Sequence, residues 1–274
     1  RQTVDIAEER LYDIMQHKMQ SAYNLVQYVG ELKPGLRMCR LGSNQLPMYT
    51  QPTWRYYWQK PDIRNQLERG YAKVGELARK LGVRLSFHPG QFTVLASDTP
   101  DIVERSIEEF EYHADIIRWM GFGQQFQDFK CNVHISGRQG PAGIKRVLPR
   151  LSQEARNTIT IENDENKWGI EASLELAKEV PLVLDIHHHW VNCGEYIDPS
   201  DDRWRGVRPA LHYSVSREDI LVDHDPNVRP DMEALLAQGY KKQKLRAHSD
   251  FYWNHAVNEW AATFSKDWDI QCES

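Results

Sequence analysis

No stretch of this chain has the roughly 18 or more consecutive apolar residues of a membrane span. The best apolar runs, such as Val180 to Ile186, are strand-sized and interrupted by charge. There is no internal repeat, linker or biased tract, and no signal-peptide pattern, although the first residue is Arg1 rather than Met. Cysteine is scarce. The four present (Cys39, Cys131, Cys193, Cys272) are widely spaced with no CxxC, which excludes a disulfide scaffold and leads us to expect reduced thiols in an intracellular protein. No GxGxxG follows any strand-like run, which argues against a dinucleotide fold. A net charge of −5 argues against a bulk-basic nucleic-acid binder. Divalent cations in an acidic pocket would nevertheless make one face more positive than the sum suggests.

What is present is ordinary in bulk. With 274 residues, 41% of them hydrophobic and 11% aromatic, the chain can build one large single-core domain or two ordinary ones. Helical and strand patterns alternate. Apolar spacing predicts helices over 8–30, 62–81 and 101–120, with Pro34-Gly35, Gly82 and Gly121 as stops, and a further helix over 171–179. Strands are predicted at Leu36–Leu41, Val83–Phe87, Phe129–Ile135, Thr158–Ile161, Pro181–Ile186, Pro209–Tyr213 and Trp268–Cys272. Seven strands separated by helices indicate a parallel α/β sheet, one short of a (β/α)8 TIM barrel. The chain opens with a helix, so the first strand is expected before Arg1, and 1–274 is read as a single barrel domain.

Six of these strands run into His, Asp or Glu: His88, His134, Glu162, Asp185, His212 and Glu273. Asp and Glu number 39 and His 11 in the whole chain, so six such endings by chance have a probability on the order of 10⁻⁵ before any allowance for hindsight. In barrel enzymes that rim carries the chemistry. Imidazole mixed with carboxylate suits zinc, manganese or iron, and more than four such ligands imply two or three ions, the arrangement of phosphoester hydrolysis. In Asp185-Ile186-His187-His188-His189, Asp185 and His188 address neighbouring ions only if the chain turns just past the strand. His187 and His189 are expected to hydrogen-bond or pack. His248 is a further candidate, on a rim loop. His17, His113, His224 and His255 read as ordinary.

The runs Leu85-Ser86-Phe87-His88-Pro89-Gly90-Gln91-Phe92, Asn132-Val133-His134, Ile161-Glu162-Asn163-Asp164, Asp185 to His189, Arg246-Ala247-His248-Ser249-Asp250 and the terminal Glu273 together resemble the UV damage endonucleases. These are relatives of endonuclease IV among the xylose-isomerase-like barrels. The resemblance implies a TIM barrel with two or three divalent ions per chain, manganese before zinc, magnesium or cobalt. It also implies a DNA repair enzyme that hydrolyses the phosphodiester bond immediately 5′ of UV photoproducts and other lesions. Glu162, Asp185, His212 and Glu273 would be catalytic. Position by position, His88, His134 and Glu162 would hold one ion, Glu162, Asp185, His212 and Glu273 a second, and His188 with His248 the third. Gln91-Phe92 corresponds to a lesion-probing Gln-Tyr pair.

The partner implied is damaged double-stranded DNA, not a membrane. The chain is expected to act as a monomer, in the bacterial cytoplasm or the eukaryotic nucleus. Two departures from the family stand out. Pro209-Ala210-Leu211-His212 lacks a lysine that members often carry at the second position, where its modified form adds a bridging carboxylate. The family's first strand, with its lesion-probing Tyr and Asn, has no counterpart. The segment Ser216–Gln243 also looks long for the family. Arg138, Arg203, Arg205, Lys244 and Arg246 are candidate phosphate contacts, whereas Lys145, Arg146 and Arg150 are as readily solvated. Trp54, Tyr56, Tyr57 and Trp58 lean towards packing. Two other readings remain open: a sugar isomerase or epimerase with one essential metal, and a catalytically silent binder of damaged DNA.

Overall fold

The computed structural model describes residues 3–198 and 209–273. Among these, seven strands alternate with helices in the order α1 (Val4–Gly30), β1 (Met38–Leu41), α2 (Arg55–Trp58), α3 (Pro61–Leu81), β2 (Arg84–Phe87), α4 (Pro100–Trp119), β3 (Lys130–His134), α5 (Gly140–Val147), α6 (Gln153–Thr158), β4 (Ile159–Glu162), α7 (Ile170–Leu174), β5 (Leu182–Asp185), α8 (Ile186–Cys193), β6 (Ala210–Tyr213), α9 (Met232–Ala237), α10 (Lys242–Leu245), α11 (His255–Ala262) and β7 (Asp269–Cys272). The strands are parallel and follow one another in sequence order, the α/β topology of a TIM-type barrel. β4, β5 and β6 are buried at all four positions, as expected of parallel strands covered on both faces.

The chain divides into two compact units. The first comprises Arg1–Leu95, Thr99–Val133 and Val147–Ile159, and the second Ala96–Asp98, His134–Arg146 and Thr160–Ser274. In the first unit, α1 starts four residues before the predicted helix because Thr3 caps it, its Oγ1 accepting from Ile6 N–H at 3.4 Å. Leu11, Met15, Met19, Ala22, Val26 and Val29 recur every three or four residues and are buried. α3 follows the same rule with Ile63, Leu67, Tyr71, Val74 and Ala78, and ends where Gly82 adopts a left-handed φ of 66°. A Cβ on Gly75 of α3 would lie 1.8 Å from Met120 O, so only glycine permits that approach to the end of α4. Tyr57 and Trp58 are each 2% exposed and belong to this core.

In the second unit, β4 to β7 pair side by side in register, with Asp185 level with His212. α7 is shorter than the predicted helix, because after Leu174 the chain continues in single turns such as Leu176 N–H to Ser173 O (2.9 Å). The long segment Ser216–Gln243 supplies Leu221, Met232 and Leu235 to a second apolar cluster with Trp190 and Val191 of α8 and Leu245 of α10. All four cysteines are free thiols.

His113, on α4, is fully buried among Phe87 and Tyr112, with Nδ1 2.8 Å from Glu109 O. Burial pushes its pKa down to about 4. An imidazole in the unfolded chain titrates near 6.5, so the unfolded state holds the extra proton between those values. The stability due to neutral His113 is therefore complete above about pH 6.5 and lost as pH falls towards 4. Urea unfolding should lose up to about 3 kcal/mol more across that window in the wild type than in His113→Gln. Parallel pH slopes would refute this account.

Candidate metal centre

The second unit brings six of the expected residues to neighbouring strand ends and the start of α8. Glu162 closes β4 and Asp185 closes β5, both 0% exposed, while His212 lies on β6 at 5%. Glu162 sits at the middle. Its Oε1 is 3.4 Å from His188 Nδ1, and its Oε2 is 3.1 Å from His212 Nδ1. Glu273 approaches the same His212 nitrogen at 3.3 Å, held there by its N–H donating to Tyr213 O at 2.8 Å. The His134 ring centroid lies 5.4 Å from that of His188.

Among the expected residues of the second unit, His134, Glu162 and His188 form one set of ligand atoms compact enough to share an ion, and Asp185, His212 and Glu273 another, each within 4.8 Å of one another. His188 thus sits with His134 and Glu162, whereas its implied partner His248 has a ring 6.1 Å away. His248 is placed by backbone bridging to Ser216 and packs edge-on against His187 at 5.4 Å.

The turn required past β5 is a helix start. Asp185 is the N-cap of α8, its Oδ1 accepting from His188 N–H at 2.7 Å. Asn163, the residue after β4, locks the pair. Its side chain donates to Asp185 O and accepts from Asp185 N–H, both at 2.9 Å, while its carbonyl lies 3.0 Å from His188 Nδ1. That contact fixes the orientation of the ring, as a hydrogen bond to the other nitrogen of a metal-binding imidazole does, and it leaves Nε2 facing Glu165 Oε2 at 3.9 Å. Glu165 gets there because Asp164 Oδ1 accepts from the N–H groups of Asn166, Lys167 and Trp168, curling the loop after β4.

Electrostatically the site is poised for cations. Burial, with Glu162 and Glu273 nearby, holds Asp185 well above the usual carboxylate range, although His188 and His212 oppose it. Burial alone would lower His188, but Asp185, Glu162 and Glu165 more than offset it and hold the imidazole up at about 9. His212 is raised by the same competition, with burial again overcome, here by Glu162, Glu273 and Asp185. Asp185 Oδ2 is buried without a hydrogen-bond partner among the described residues. A buried carboxylate oxygen that makes no hydrogen bond and has an imidazole nitrogen at 3.5 Å fits a divalent cation.

The chain matches the family model "UV-endonuclease UvdE" over residues 2–257. It belongs to that family. It is 29% identical over 249 residues to the "UV-damage endonuclease" of Neurospora crassa, an alignment covering 78% of this chain but only 37% of that protein. It is 25% identical over 251 residues to the "UV DNA damage endonuclease" of Bacillus thuringiensis subsp. konkukian, covering 89% of this chain and 71% of the relative. The solved structure "Crystal Structure of SacUVDE" superposes with a TM-score of 0.66 at 20% identity over 93% of this chain and 90% of the other, a likeness of fold.

The other expected residues of this family member lie on further segments of the chain. His88 follows β2 in the first unit, its carbonyl accepting from the Ser43 hydroxyl. Gln91 and Phe92 are in the same unit, both exposed. Arg138 pairs with Asp98 at 3.2 Å and Arg246 with Glu165 at 3.3 Å, while Lys244 is exposed on α10. Lys145 and Arg150 are engaged by Glu179 and Glu104. Arg203 and Arg205 lie outside the described residues. Sequence reasoning missed Glu165 and the clamp role of Asn163. The adjoining Asp164-Glu165-Asn166 was a visible signal, but no spacing rule shows which of three consecutive polar residues turns inward.

Divalent ions should stabilise the folded state. Manganese at a hundredfold its Kd is expected to add about 2.7 kcal/mol to unfolding, read by calorimetry. Asp185→Asn should lose more than half of that gain. An undiminished gain in the variant would place the ions elsewhere.

Proposed function

We propose that the protein is a DNA repair endonuclease that hydrolyses the phosphodiester bond immediately 5′ of UV photoproducts and other lesions, using two or three divalent ions, manganese foremost. The observation that carries this reading is the buried convergence of Glu162, Asp185, His188 and His212 at strand ends. Left to themselves these carboxylates would repel a phosphodiester. Overcompensated by cations, they create a site for one.

His134, Glu162 and His188 would hold one ion and Asp185, His212 and Glu273 another, with Glu162 between them and His88 and His248 completing the set. Ions bound there supply Lewis acidity, neutralise charge on the phosphoester and lower the pKa of coordinated water. Asn163 keeps the His188 ring and the Asp185 backbone in one arrangement, so no reorganisation is needed when substrate arrives. Arg138, Lys244 and Arg246 would contact backbone phosphates.

Phe92 would serve lesion recognition with Gln91. At 86% it is the most exposed large hydrophobic side chain among the described residues. Its backbone is nonetheless held in a tight turn, Thr93 N–H to Gly90 O at 2.9 Å and Val94 N–H to Phe92 O at 3.1 Å. A solvated ring on an ordered turn suits stacking into the gap left by a displaced base.

The test is UV-irradiated duplex DNA incubated with manganese and protein, with the cut mapped at nucleotide resolution. A nick 5′ of the photoproduct is expected, falling more than about a hundredfold in Glu162→Gln. Full activity in that variant would end the proposal. Lesion-selective binding without nicking under any divalent ion would make the chain a silent binder, and one essential ion per chain with sugar turnover would make it an isomerase. Phe92→Ala should lower kcat/KM on damaged DNA by about tenfold or more, the worth of one stacked base, with ion binding unchanged.

A further inference from the structure

At the end of α8 away from Asp185, three side chains of different chemistry converge. His189 and Cys193 are four residues apart and share one helix face, with Cys193 Sγ 3.3 Å from His189 Nε2. Glu195 Oε2 lies 3.9 Å from the same nitrogen, and one ligand atom from each residue falls within 4.8 Å of the others. Gly194 makes this possible. Its left-handed φ of 83° ends the helix, its N–H bonding Trp190 O at 2.7 Å, and turns the chain back so that Glu195 returns to the helix end. Lys242 Nζ, donating to Asn192 O at 2.7 Å, ties the turn down.

Sulfur and nitrogen ligands of one tetrahedral zinc, bonded at about 2.3 Å and 2.0–2.1 Å, stand about 3.5–3.6 Å apart. Cys193 Sγ, 3.3 Å from His189 Nε2 and 3.6 Å from Nδ1, reaches that arrangement by small side-chain rotations. The Glu195 carboxylate is 78% exposed and can close the remaining few tenths of an ångström by side-chain rotation. Successive residues on a helix are rotated by about 100°, so His189 faces away from the carboxylates that His188 meets.

We propose that His189, Cys193 and Glu195 form a second, mononuclear site for a soft divalent cation of the zinc class, with a fourth position open to water. Thiolate and imidazole favour zinc, whereas the carboxylate-rich strand-end set suits harder ions such as manganese. On binding, the Cys193 thiol, which now hydrogen-bonds to His189 O at 3.2 Å, releases its proton to solvent. The ion would then pin the 193–195 turn and the C-terminal end of the helix whose other end carries Asp185 and His188. Nothing in this inference depends on the nuclease reading.

Cobalt(II) is the probe, because a thiolate ligand gives it a near-ultraviolet charge-transfer band that carboxylates and imidazoles do not. The reduced full-length protein should show this band, and Cys272→Ser should keep it. Cys193→Ser should lose it while retaining its stabilisation by manganese, and His189→Ala should need at least tenfold more cobalt to reach it. Added zinc should abolish the band and manganese should not. A band that survives in Cys193→Ser, or that never forms in the reduced wild type, overturns the proposal.

Discussion

Two carboxylates with no solvent access, Glu162 and Asp185, set the terms for the second unit. An isolated buried carboxylate is so costly that it either takes up a proton or recruits positive charge. The imidazoles of His188 and His212 partly meet that demand, at 3.4 Å and 3.1 Å from the two oxygens of Glu162. They do not meet it fully: Asp185 Oδ2 makes no hydrogen bond, with His188 Nδ1 at 3.5 Å, and Glu165 and Glu273 add further negative charge. Proton uptake by Asp185 is one way to balance such a set and divalent cations are another, so the site's chemistry follows from its burial.

α8 shows how little geometry separates three environments. His187, His188 and His189 are consecutive, and one helical turn distributes them. His187 stacks on Trp190 and meets His248, so that burial, with His248 and His188 close by, pushes its pKa down to about 3. His188 enters the carboxylate set, and His189 reaches Cys193. The helix is anchored by the apolar cluster around Trp190, which the long 216–243 segment largely builds. That segment therefore supports the helix that carries His188.

Much of this was legible in sequence. Short runs of Val, Ile and Leu bounded by glycine and proline marked the strands, and polar residues interrupting such runs marked their ends. Where the reading fell short, helical rotation or loop curl was responsible. A pattern with period two describes Asp185 to His189 as a strand continuation, but the Asp185 cap turns it into a helix and so pairs Asp185 with His188. Glu165 reaches His188 only through the turn organised by Asp164. The predicted helix over 171–179 was too long because its apolar spacing persists through turns that are not α-helical.

The sequence by itself determined the alternation of strands and helices, the residue types at the strand ends and membership of the UvdE family, because period and composition are local properties and motifs are strings. Tertiary structure decided which ligand atoms share a neighbourhood: that His188 sits with His134 and Glu162, that Glu162 also meets His212, and that Glu165 faces inward. Those choices depend on strand register, helix rotation and hydrogen bonds from Asn163 and Asp164, and none of these can be counted along the chain.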